Sequence, residues 1–471
     1  MKASDDRNSG RRSGAADQHA GGRVEFQIEG EAPTRAYILH AELRQQETDG
    51  RSAHSKLEEA VGLAHAIDLN VVGQELVNIG RVSPATLIGP GQVSHVASEL
   101  EAREADLVVF NGPLSPGQQR NLERKWNTKV LDRTGLILEI FGRRARTREG
   151  RLQVDLAHLT YQKSRLVRSW THLERQRGGV GFMGGPGERQ IESDRRMLQE
   201  RINKLERQLK TVKNTRELQR KARKRIPSPI VALVGYTNAG KSTLFNRITQ
   251  ADVEAKDLLF ATLDPTMRKM TLPHGREVIL SDTVGFISDL PTELVAAFRA
   301  TLEEVIEADL IIHVRDSSHV ESAAQAEDVL EILTALGIDE VERNERLIEA
   351  WNKADLLSGD ERETLRGHAE RSEAIVQISA VTGEGIEDLL QLVEQRLAAQ
   401  RDTYSISIGP ENGAGLSWVY RVGEVLEREQ MDEGTVHLTA RLPEARLHEG
   451  QTKFGLHIVG SEEGERARAA E

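Results

Sequence analysis

Residues 235–242 carry glycine, lysine and serine at the spacing of a phosphate-binding loop. They read GYTNAGKS, which fits the pattern G-x-x-x-x-G-K-[ST], and they lie between the apolar run IVALV and the helix-like stretch TLFNRIT. In that context the loop amides and the start of the helix form a site for phosphate oxygens. Lys241 would reach the β- and γ-phosphates of a nucleotide, and Ser242 would bind Mg²⁺. The loop therefore predicts a site for a nucleoside triphosphate.

A second polar motif, NKAD at residues 352–355, ends a later apolar strand and would select the base. Guanine offers N1–H and a 2-amino group on one edge, and an ionised Asp355 can accept both, whereas adenine offers no such pair. Lys353 would pack over the base and Asn352 would bond to the phosphate loop. The backbone of Ser379–Ala380, at the end of the next strand, would contact the guanine O6. The motif therefore predicts guanine rather than adenine.

A third motif, DTVG, ends the apolar strand EVILSD and would respond to the γ-phosphate. Asp282 would hold Mg²⁺ through water, and the Gly285 amide would contact the γ-phosphate. The preceding segment FATLD (260–264) would cover the nucleotide. Thr262 is the candidate for the second hydroxyl ligand of Mg²⁺, and Thr266 is the competing candidate.

Together these motifs predict a GTP-hydrolysing site that binds GTP, GDP and Mg²⁺. The predicted catalytic residues are Lys241, Thr262 and Gly285, and the predicted metal ligands are Ser242 and Thr262. The predicted nucleotide-binding residues are Gly235, Tyr236, Thr237, Asn238, Ala239, Gly240, Lys241, Ser242, Thr243, Phe260, Ala261, Thr262, Leu263, Asp264, Asp282, Thr283, Val284, Gly285, Asn352, Lys353, Ala354, Asp355, Ser379, Ala380 and Val381.

The elements that must position these motifs predict an α/β fold of several domains. With 471 residues the chain is too long for one core. Residues 230–400 alternate near-continuous apolar strands with helices, which is typical of a P-loop domain with a parallel sheet covered on both faces. Residues 35–140 predict an N-terminal α/β domain and residues 403–460 a small C-terminal α/β domain. We expect residues 1–22 and 461–471 to be disordered.

Residues 143–226 predict an antiparallel hairpin of two basic helices. The first helix would run from Arg143 to Arg177, and the glycine-rich loop 178–190 would lack regular structure. A heptad seam follows in the second helix, at Leu198, Ile202, Leu205, Leu209 and Val212. Eleven lysines and arginines against two acids lie between residues 201 and 225, although the whole chain carries a net charge of −11.

Clustered basic side chains can bind RNA phosphates, or they can form the solvated face of a coiled coil. Composition alone leaves both readings open. The candidate RNA-binding residues are Arg220, Lys221, Arg223, Lys224 and Arg225.

Composition also indicates the cellular compartment of the protein. The chain has no cysteine, so it has no disulfide framework and no thiolate metal site. No apolar core follows the basic residues near the start, and no apolar run approaches the ~20 residues that span a bilayer. We expect a cytoplasmic protein without a membrane span, and a monomer.

The combined motifs resemble those of translation-factor-class GTPases, and two segments narrow the resemblance. FATLDPT, together with the upstream GGVGFMGGPGERQIESDRR, resembles the HflX family of ribosome-associated GTPases across residues 35–460. That resemblance implies binding to the large ribosomal subunit and its rRNA, and nucleotide-dependent splitting or rescue of ribosomes. Two departures stand out: many relatives have a basic residue before Gly-Pro-Gly-Glu where this chain has Met183–Gly185, and relatives often have Lys at Gln92.

Two positions bear on the rate of hydrolysis. Many GTPases use a glutamine just after DxxG to orient water, but Phe286 can neither donate nor accept a hydrogen bond. We expect slow intrinsic hydrolysis that a partner stimulates. In some relatives of this class the residue equivalent to Asn238 helps to coordinate K⁺, but a loop-closing hydrogen bond is an equally good reading.

Two alternatives to a ribosomal role remain. The chain could be a regulatory GTPase switch for a non-ribosomal protein or a membrane partner. Separately, the glycine turn IGPGQV could make the N-terminal domain an independent nucleotide-binding or RNA-remodelling module.

Overall fold

The structure, a computed structural model, describes residues 33–43, 50–174, 186–223, 228–251, 259–260, 262–263, 265–288, 302–399, 402–431, 434–442 and 450–461. Within the helical residues 167–174, 186–191 and 213–223 it describes the backbone alone.

The N-terminal region forms a four-stranded parallel sheet in the order β2-β1-β3-β4. Its strands are β1 (Arg35–Leu43), β2 (Asn70–Ile79), β3 (Leu107–Asn111) and β4 (Lys129–Asp132). Its helices are α1 (Ala53–His65), α2 (Pro90–Ala102), α3 (Pro116–Trp126) and α4 (Arg133–Arg144). Every residue of β3 is buried, as expected for a parallel strand covered on both faces.

Local side chains fix where these helices begin. Ser52, Ser115 and Asp132 accept hydrogen bonds from the first free backbone amides of α1, α3 and α4. Gln92 closes the start of α2, because its Oε1 accepts from the Gly89 amide at 3.2 Å and its Nε2 donates to the Asn78 carbonyl at 2.9 Å. The polar groups of Gln92 are thus used within the IGPGQV turn itself.

Two long helices follow the N-terminal sheet and pack against each other: α5 (Arg148–Glu174) and α6 (Pro186–Arg223). The predicted start of the first helix at Arg143 is wrong. Residues 133–144 belong to α4, and the extended backbone of Ala145 separates α4 from α5. Residues 178–185 lie outside the described residues, but residues 186–190 are already helical, contrary to prediction. Proline is tolerated in the first turn of a helix, because a backbone amide at that position would have no hydrogen-bond partner within the helix.

Part of the predicted heptad seam is visible in α6. Ile202 and Leu209 are buried, whereas Leu198, Leu205 and Val212 are partly exposed. The ammonium group of Lys163 in α5 donates to the side chain of Gln199 in α6. The buried part of the seam therefore lies near the middle of α6.

A six-stranded sheet carries the three polar motifs, in the order β10-β9-β8-β5-β7-β6. Its strands are β5 (Ile230–Val234), β6 (Thr266–Thr271), β7 (Glu277–Asp282), β8 (Leu310–Asp316), β9 (Leu347–Asn352) and β10 (Ile375–Gln377). Only β6 runs antiparallel to its neighbour. The helices around it include α7 (Lys241–Thr249), α8 (Ser322–Ala335), α9 (Glu340–Arg346), α10 (Gly359–Ala369) and α11 (Ile386–Ala399), and residues 302–306 are also helical.

The C-terminal region is an antiparallel four-stranded sheet with the helix α12 (Gly413–Val422) and a short helical segment at residues 450–454. Its strands are β11 (Asp402–Ile408), β12 (Glu424–Gln430), β13 (Val436–Leu442) and β14 (His457–Ser461). Burial alternates strictly along β13, because one face of the sheet packs on Trp418 and Val419 of the helix.

One apolar core joins the N-terminal sheet to the domain that carries the motifs. Ala60, Leu63 and Phe141 share this cluster with Phe260 and Phe286. The two sheets therefore pack as one unit at the loops of interest. Within the described part of the chain, no helix combines the length and apolar composition that crossing a membrane needs.

Candidate nucleotide-binding site

The phosphate loop joins β5 to α7, and its two glycines are required by positive φ angles and close contacts. Gly235 has φ +149°, and a Cβ there would lie 2.2 Å from the Val314 carbonyl oxygen. Gly240 has φ +93°, and a Cβ there would lie 2.2 Å from the Asn352 Nδ2. Side chains at either position would collide, so both glycines are needed for the loop to close over the strand ends.

Lys241 lies buried at the first position of α7. Its ammonium group donates to the carbonyls of Gly235 at 3.0 Å and Tyr236 at 2.8 Å. Burial lowers the pKa of Lys241 to about 8, against the opposing attraction of Asp282. Phosphate oxygens would supply the compensating negative charge that this buried cation lacks.

Three oxygen-bearing side chains converge beside the loop. The Ser242 hydroxyl lies 2.8 Å from the Asp282 Oδ2 and 2.9 Å from the Thr262 hydroxyl, which itself donates to Asp282 at 3.0 Å. The other oxygen, Asp282 Oδ1, is buried and has no hydrogen-bond partner in the described structure. Burial raises the pKa of Asp282, and the charge of Lys241 opposes that rise. Hydroxyls and a carboxylate are the ligands that Mg²⁺ prefers, so this corner fits the ion.

The structure therefore brings Thr262 to Ser242 and Asp282. The competing residue, Thr266, lies in β6 paired with Asp282 across the sheet. Ala261 and Asp264 lie outside the described residues, while Phe260 and Leu263 are buried.

The DTVG segment is tied to the phosphate loop by backbone pairing. The Thr237 amide donates to the Phe286 carbonyl at 2.7 Å, and the Phe286 amide donates to the Gly235 carbonyl at 3.1 Å. Gly285 faces the loop, since a Cβ there would lie 3.1 Å from the Lys241 Nζ. The Phe286 side chain is buried in the apolar core between the sheets. It lies where it can support the loop but cannot orient water.

The base-selecting motif is connected to the phosphate loop as expected. The Asn352 side chain donates to the Ala239 carbonyl at 2.8 Å and accepts from the Ala380 amide at 2.9 Å. The Ser379 hydroxyl donates to the Asp355 carboxylate at 2.6 Å and so orients it. Asp355 is solvent-exposed rather than buried, so a bound base would itself desolvate it.

Other predicted positions have simpler placements. Asn238 has φ +61° and Thr243 lies in the first turn of α7. Thr283 donates to the Leu233 carbonyl at 2.6 Å, Ala354 and Val284 are buried, and Val381 is exposed. The backbone of Arg220, Lys221 and Arg223 belongs to α6 but their side chains are not described, and Lys224 and Arg225 lie outside the described residues.

Sequence reasoning missed two sets of residues at this site. Asp316 pairs with Lys353 at 2.7 Å. Asp316 lies at the carboxyl end of β8, where parallel sheets bind their ligands, so its position could have identified it as a site residue. Arg51, Glu59 and Arg133 of the N-terminal region reach Tyr236 and Ser288. No local pattern marks those three residues.

A carboxylate presented to a base, beside a phosphate loop at the carboxyl edge of a parallel sheet, suits a guanine nucleotide. This architecture defines the class of P-loop GTPases, and comparison with known families agrees. Residues 230–353 match the family described as 50S ribosome-binding GTPase. Residues 54–142 match the N-terminal region of GTP-binding GTPases and residues 144–223 their middle region. Residues 364–463 match the HflX C-terminal domain.

Individual relatives narrow the class to a family. The chain is 48% identical over 416 residues to the GTPase HflX of Magnetococcus marinus, which covers 88% of this chain and 94% of the relative. It is 45% identical over 361 residues to the GTPase HflX of Escherichia coli K12, covering 76% and 83%. The chain belongs to the HflX family of GTPases.

A solved structure also shares similarity with the chain. It is a GTP-binding protein from the hyperthermophilic archaeon Sulfolobus solfataricus in complex with GDP, 23% identical. The match covers 78% of this chain and 99% of that one, with a TM-score of 0.41.

Proposed function

We propose that this GTPase binds the large ribosomal subunit and couples GTP binding and hydrolysis to ribosome splitting or rescue. The observation that carries the proposal is a row of basic side chains along α6. Arg201, Lys204, Arg207 and Lys210 are all exposed and recur every third residue, while Ile202 and Leu209 are buried. A charged ridge of this kind on a long helix can follow RNA phosphates.

The family comparison supports the same partner, since the model matching residues 230–353 is described as a 50S ribosome-binding GTPase. The candidate RNA-binding residues Arg220, Lys221, Arg223, Lys224 and Arg225 would add further positive charge to the same partner surface. A cytoplasmic monomer fits this role. The proposed division of the chain is an N-terminal domain, a helical hairpin, a G domain and a C-terminal domain.

Sedimentation with purified large subunits tests the proposal. We expect the full chain to co-sediment with a non-hydrolysable GTP analogue. Replacing Arg201, Lys204, Arg207 and Lys210 by alanine should weaken binding and reduce its salt dependence. Replacing the exposed Arg124 and Lys125 of α3 by alanine is the matched control. Absence of co-sedimentation would favour a switch that acts on a non-ribosomal protein or a membrane partner.

For hydrolysis we infer that Lys241 binds the β- and γ-phosphates and that the Gly285 amide contacts the γ-phosphate. Ser242 and Thr262 would ligate Mg²⁺, with Asp282 acting through water. Mg²⁺ would neutralise charge on the phosphates, and these side chains and the Gly285 amide would hold the ion and the phosphates in place. Because Phe286 cannot orient water, the catalytic arrangement needs a partner. Large subunits should raise the single-turnover rate, and an unchanged rate contradicts this.

Asn238 has two candidate roles, K⁺ coordination and a loop-closing hydrogen bond. If its side chain helps to bind K⁺ beside the phosphates, turnover in K⁺ buffer should exceed turnover in Na⁺ buffer. Equal rates would leave the loop-closing hydrogen bond as its role.

A further inference from the structure

The six-stranded sheet has an open edge at β10. This strand pairs with β9 on one side, and no described strand pairs with it on the other. A β9 amide donates to the Ala374 carbonyl at 2.7 Å, and a β9 carbonyl accepts from the Ile378 amide at 2.8 Å. Backbone groups alternate in direction along a strand, so the amides of Ile375 and Gln377 and the Ile375 carbonyl point to the open side. The edge therefore offers backbone donors and an acceptor to a further strand.

A groove of about 730 Å³ lies beside this edge, between α10 and α11. Its lining includes Ile375 and Gln377 of β10, and Asp388, Leu392 and Gln395 of α11. The three α11 residues recur at spacings of four and three, so they share one face of the helix. Protein pockets of this volume hold ligands of drug size, and the groove suits a peptide segment of a few residues.

The walls of the groove combine apolar and polar surface in the way that an extended peptide requires. Ala369 is buried and Ile375 and Leu392 are partly buried, whereas every exposed residue of the lining is charged or polar. Successive side chains of a strand point to opposite faces, so alternate side chains of an added strand would meet the apolar walls and the polar rim. Recognition by strand addition works in this way.

The rim of the groove is acidic. It carries four carboxylates and two guanidinium groups, from Glu370, Glu373, Glu384, Asp388, Arg366 and Arg396. Both arginines are engaged, since the Nε of Arg366 lies 3.2 Å from the Glu370 carboxylate and Arg396 donates to the Glu373 carbonyl at 3.2 Å. The carboxylates of Glu373 and Asp388 form no ion pair with a residue that the structure describes. The uncompensated charge favours a basic occupant and opposes nucleic-acid phosphates.

We propose that this groove is a docking site for an extended segment of a partner protein that is rich in lysine or arginine. The segment adds to the sheet as a strand beside β10 (Ile375–Gln377). Hydrogen bonds to the open edge hold its backbone, and Glu373 and Asp388 select basic side chains. Because these two carboxylates are exposed, salt weakens the selection. The inference does not depend on a ribosomal partner.

Binding of a synthetic peptide to the full chain tests the inference. The probe is a short fluorescent peptide of alternating lysine and threonine, which should bind at least about tenfold more tightly than its glutamate–threonine counterpart. The double variant Glu373→Gln, Asp388→Asn should raise the Kd of the lysine peptide roughly fivefold to twentyfold and reduce its salt dependence. The matched control is Glu363→Gln, Glu387→Gln, which removes two exposed charges from α10 and α11 outside the groove.

The backbone of the probe separates strand addition from simple charge attraction. Methylating its amide nitrogens removes the donors and blocks the peptide edge but keeps the lysine charges, so binding should be lost. Hydrogen exchange at the amides of Ile375 and Gln377 should slow when the unmethylated peptide is bound. Unchanged affinity of a non-hydrolysable GTP analogue shows that each variant is folded.

Three results would overturn the inference. The first is equal binding of the lysine and glutamate peptides, or of the methylated and unmethylated ones. The second is a folded Glu373→Gln, Asp388→Asn variant that binds the lysine peptide as tightly as the unaltered chain. The third is self-association of the chain that the same two substitutions abolish, because a second copy of the chain would then be the occupant.

Discussion

The Lys353 ammonium lies 2.7 Å from the Asp316 carboxylate and joins the base loop to the end of β8. Lys353 has φ +66°, a conformation that costs a lysine free energy and needs outside support. Both side chains are largely buried, so solvent screens their attraction only in part. Asp316 therefore holds Lys353 ready to pack over a base.

Asp316→Asn should weaken GTP and GDP equally, because both nucleotides share the guanine base. The partly buried pair contributes on the order of 1–2 kcal/mol, so each Kd should rise about fivefold to thirtyfold. Titration with fluorescent GDP and a GTP analogue measures this. Glu277→Gln, which breaks the exposed pair with Lys269, serves as control. Unchanged affinities would mean that the base loop holds its shape without Asp316.

Asp355→Asn should exchange guanine for xanthine specificity. Xanthine keeps N1–H but has a carbonyl in place of the 2-amino group, and an asparagine can accept from the first and donate to the second. We expect GTP affinity to fall about a hundredfold or more and XTP affinity to rise. Competition binding with GTP, XTP and ATP measures both changes. A variant that still prefers GTP would remove Asp355 from the base site.

Thr262→Ala should slow hydrolysis while sparing GDP binding. Removing a hydroxyl from the Mg²⁺ corner loses about tenfold to a hundredfold in single-turnover rate, and we expect a higher Mg²⁺ requirement with it. Thr266→Ala tests the competing candidate, which lies in β6 and pairs with Asp282 across the sheet. If Thr266→Ala carries the defect and Thr262→Ala does not, the ligand assignment must be exchanged.

His313→Leu should flatten the acid side of the stability profile. Burial in β8 lowers the pKa of His313 to about 4, and its Nδ1 has no hydrogen-bond partner in the described structure. The unfolded chain takes up a proton near pH 6.5 but the folded chain does not until about pH 4. Stability is therefore full above pH 6.5 and is lost as the pH falls toward 4, by roughly 2 kcal/mol between pH 6.5 and 5.

Thermal unfolding midpoints between pH 7.5 and 5 measure this effect. The wild-type midpoint should fall with pH more steeply than that of His313→Leu. His368→Ala, a change at an exposed histidine of α10, should keep the wild-type slope. Identical slopes in all three proteins would show that His313 does not titrate on unfolding.

The sequence alone determined the features that depend on a short stretch of backbone. The loop from Gly235 to Ser242 binds phosphate through adjacent backbone amides and the start of one helix. Its residue types and their spacing are therefore enough to predict it. The strand ends at Asp282 and Asn352 were legible for the same reason, since buried parallel strands are continuous apolar runs followed by polar residues. The ends of the long helices were harder to predict, because Ala145 is flanked by arginines and the nearest glycine, Gly142, still belongs to α4.

The tertiary structure alone decided which distant residues meet. Arg51 contacts Tyr236 and Ser288 across 185 and 237 residues of sequence, and Asp316 reaches Lys353 from a neighbouring strand. The tertiary structure also places the hydroxyl of Thr262, rather than that of Thr266, beside Ser242. Contacts of this kind arise when separated segments pack together, within one sheet or between two, and such packing leaves no periodic pattern in the sequence of either segment.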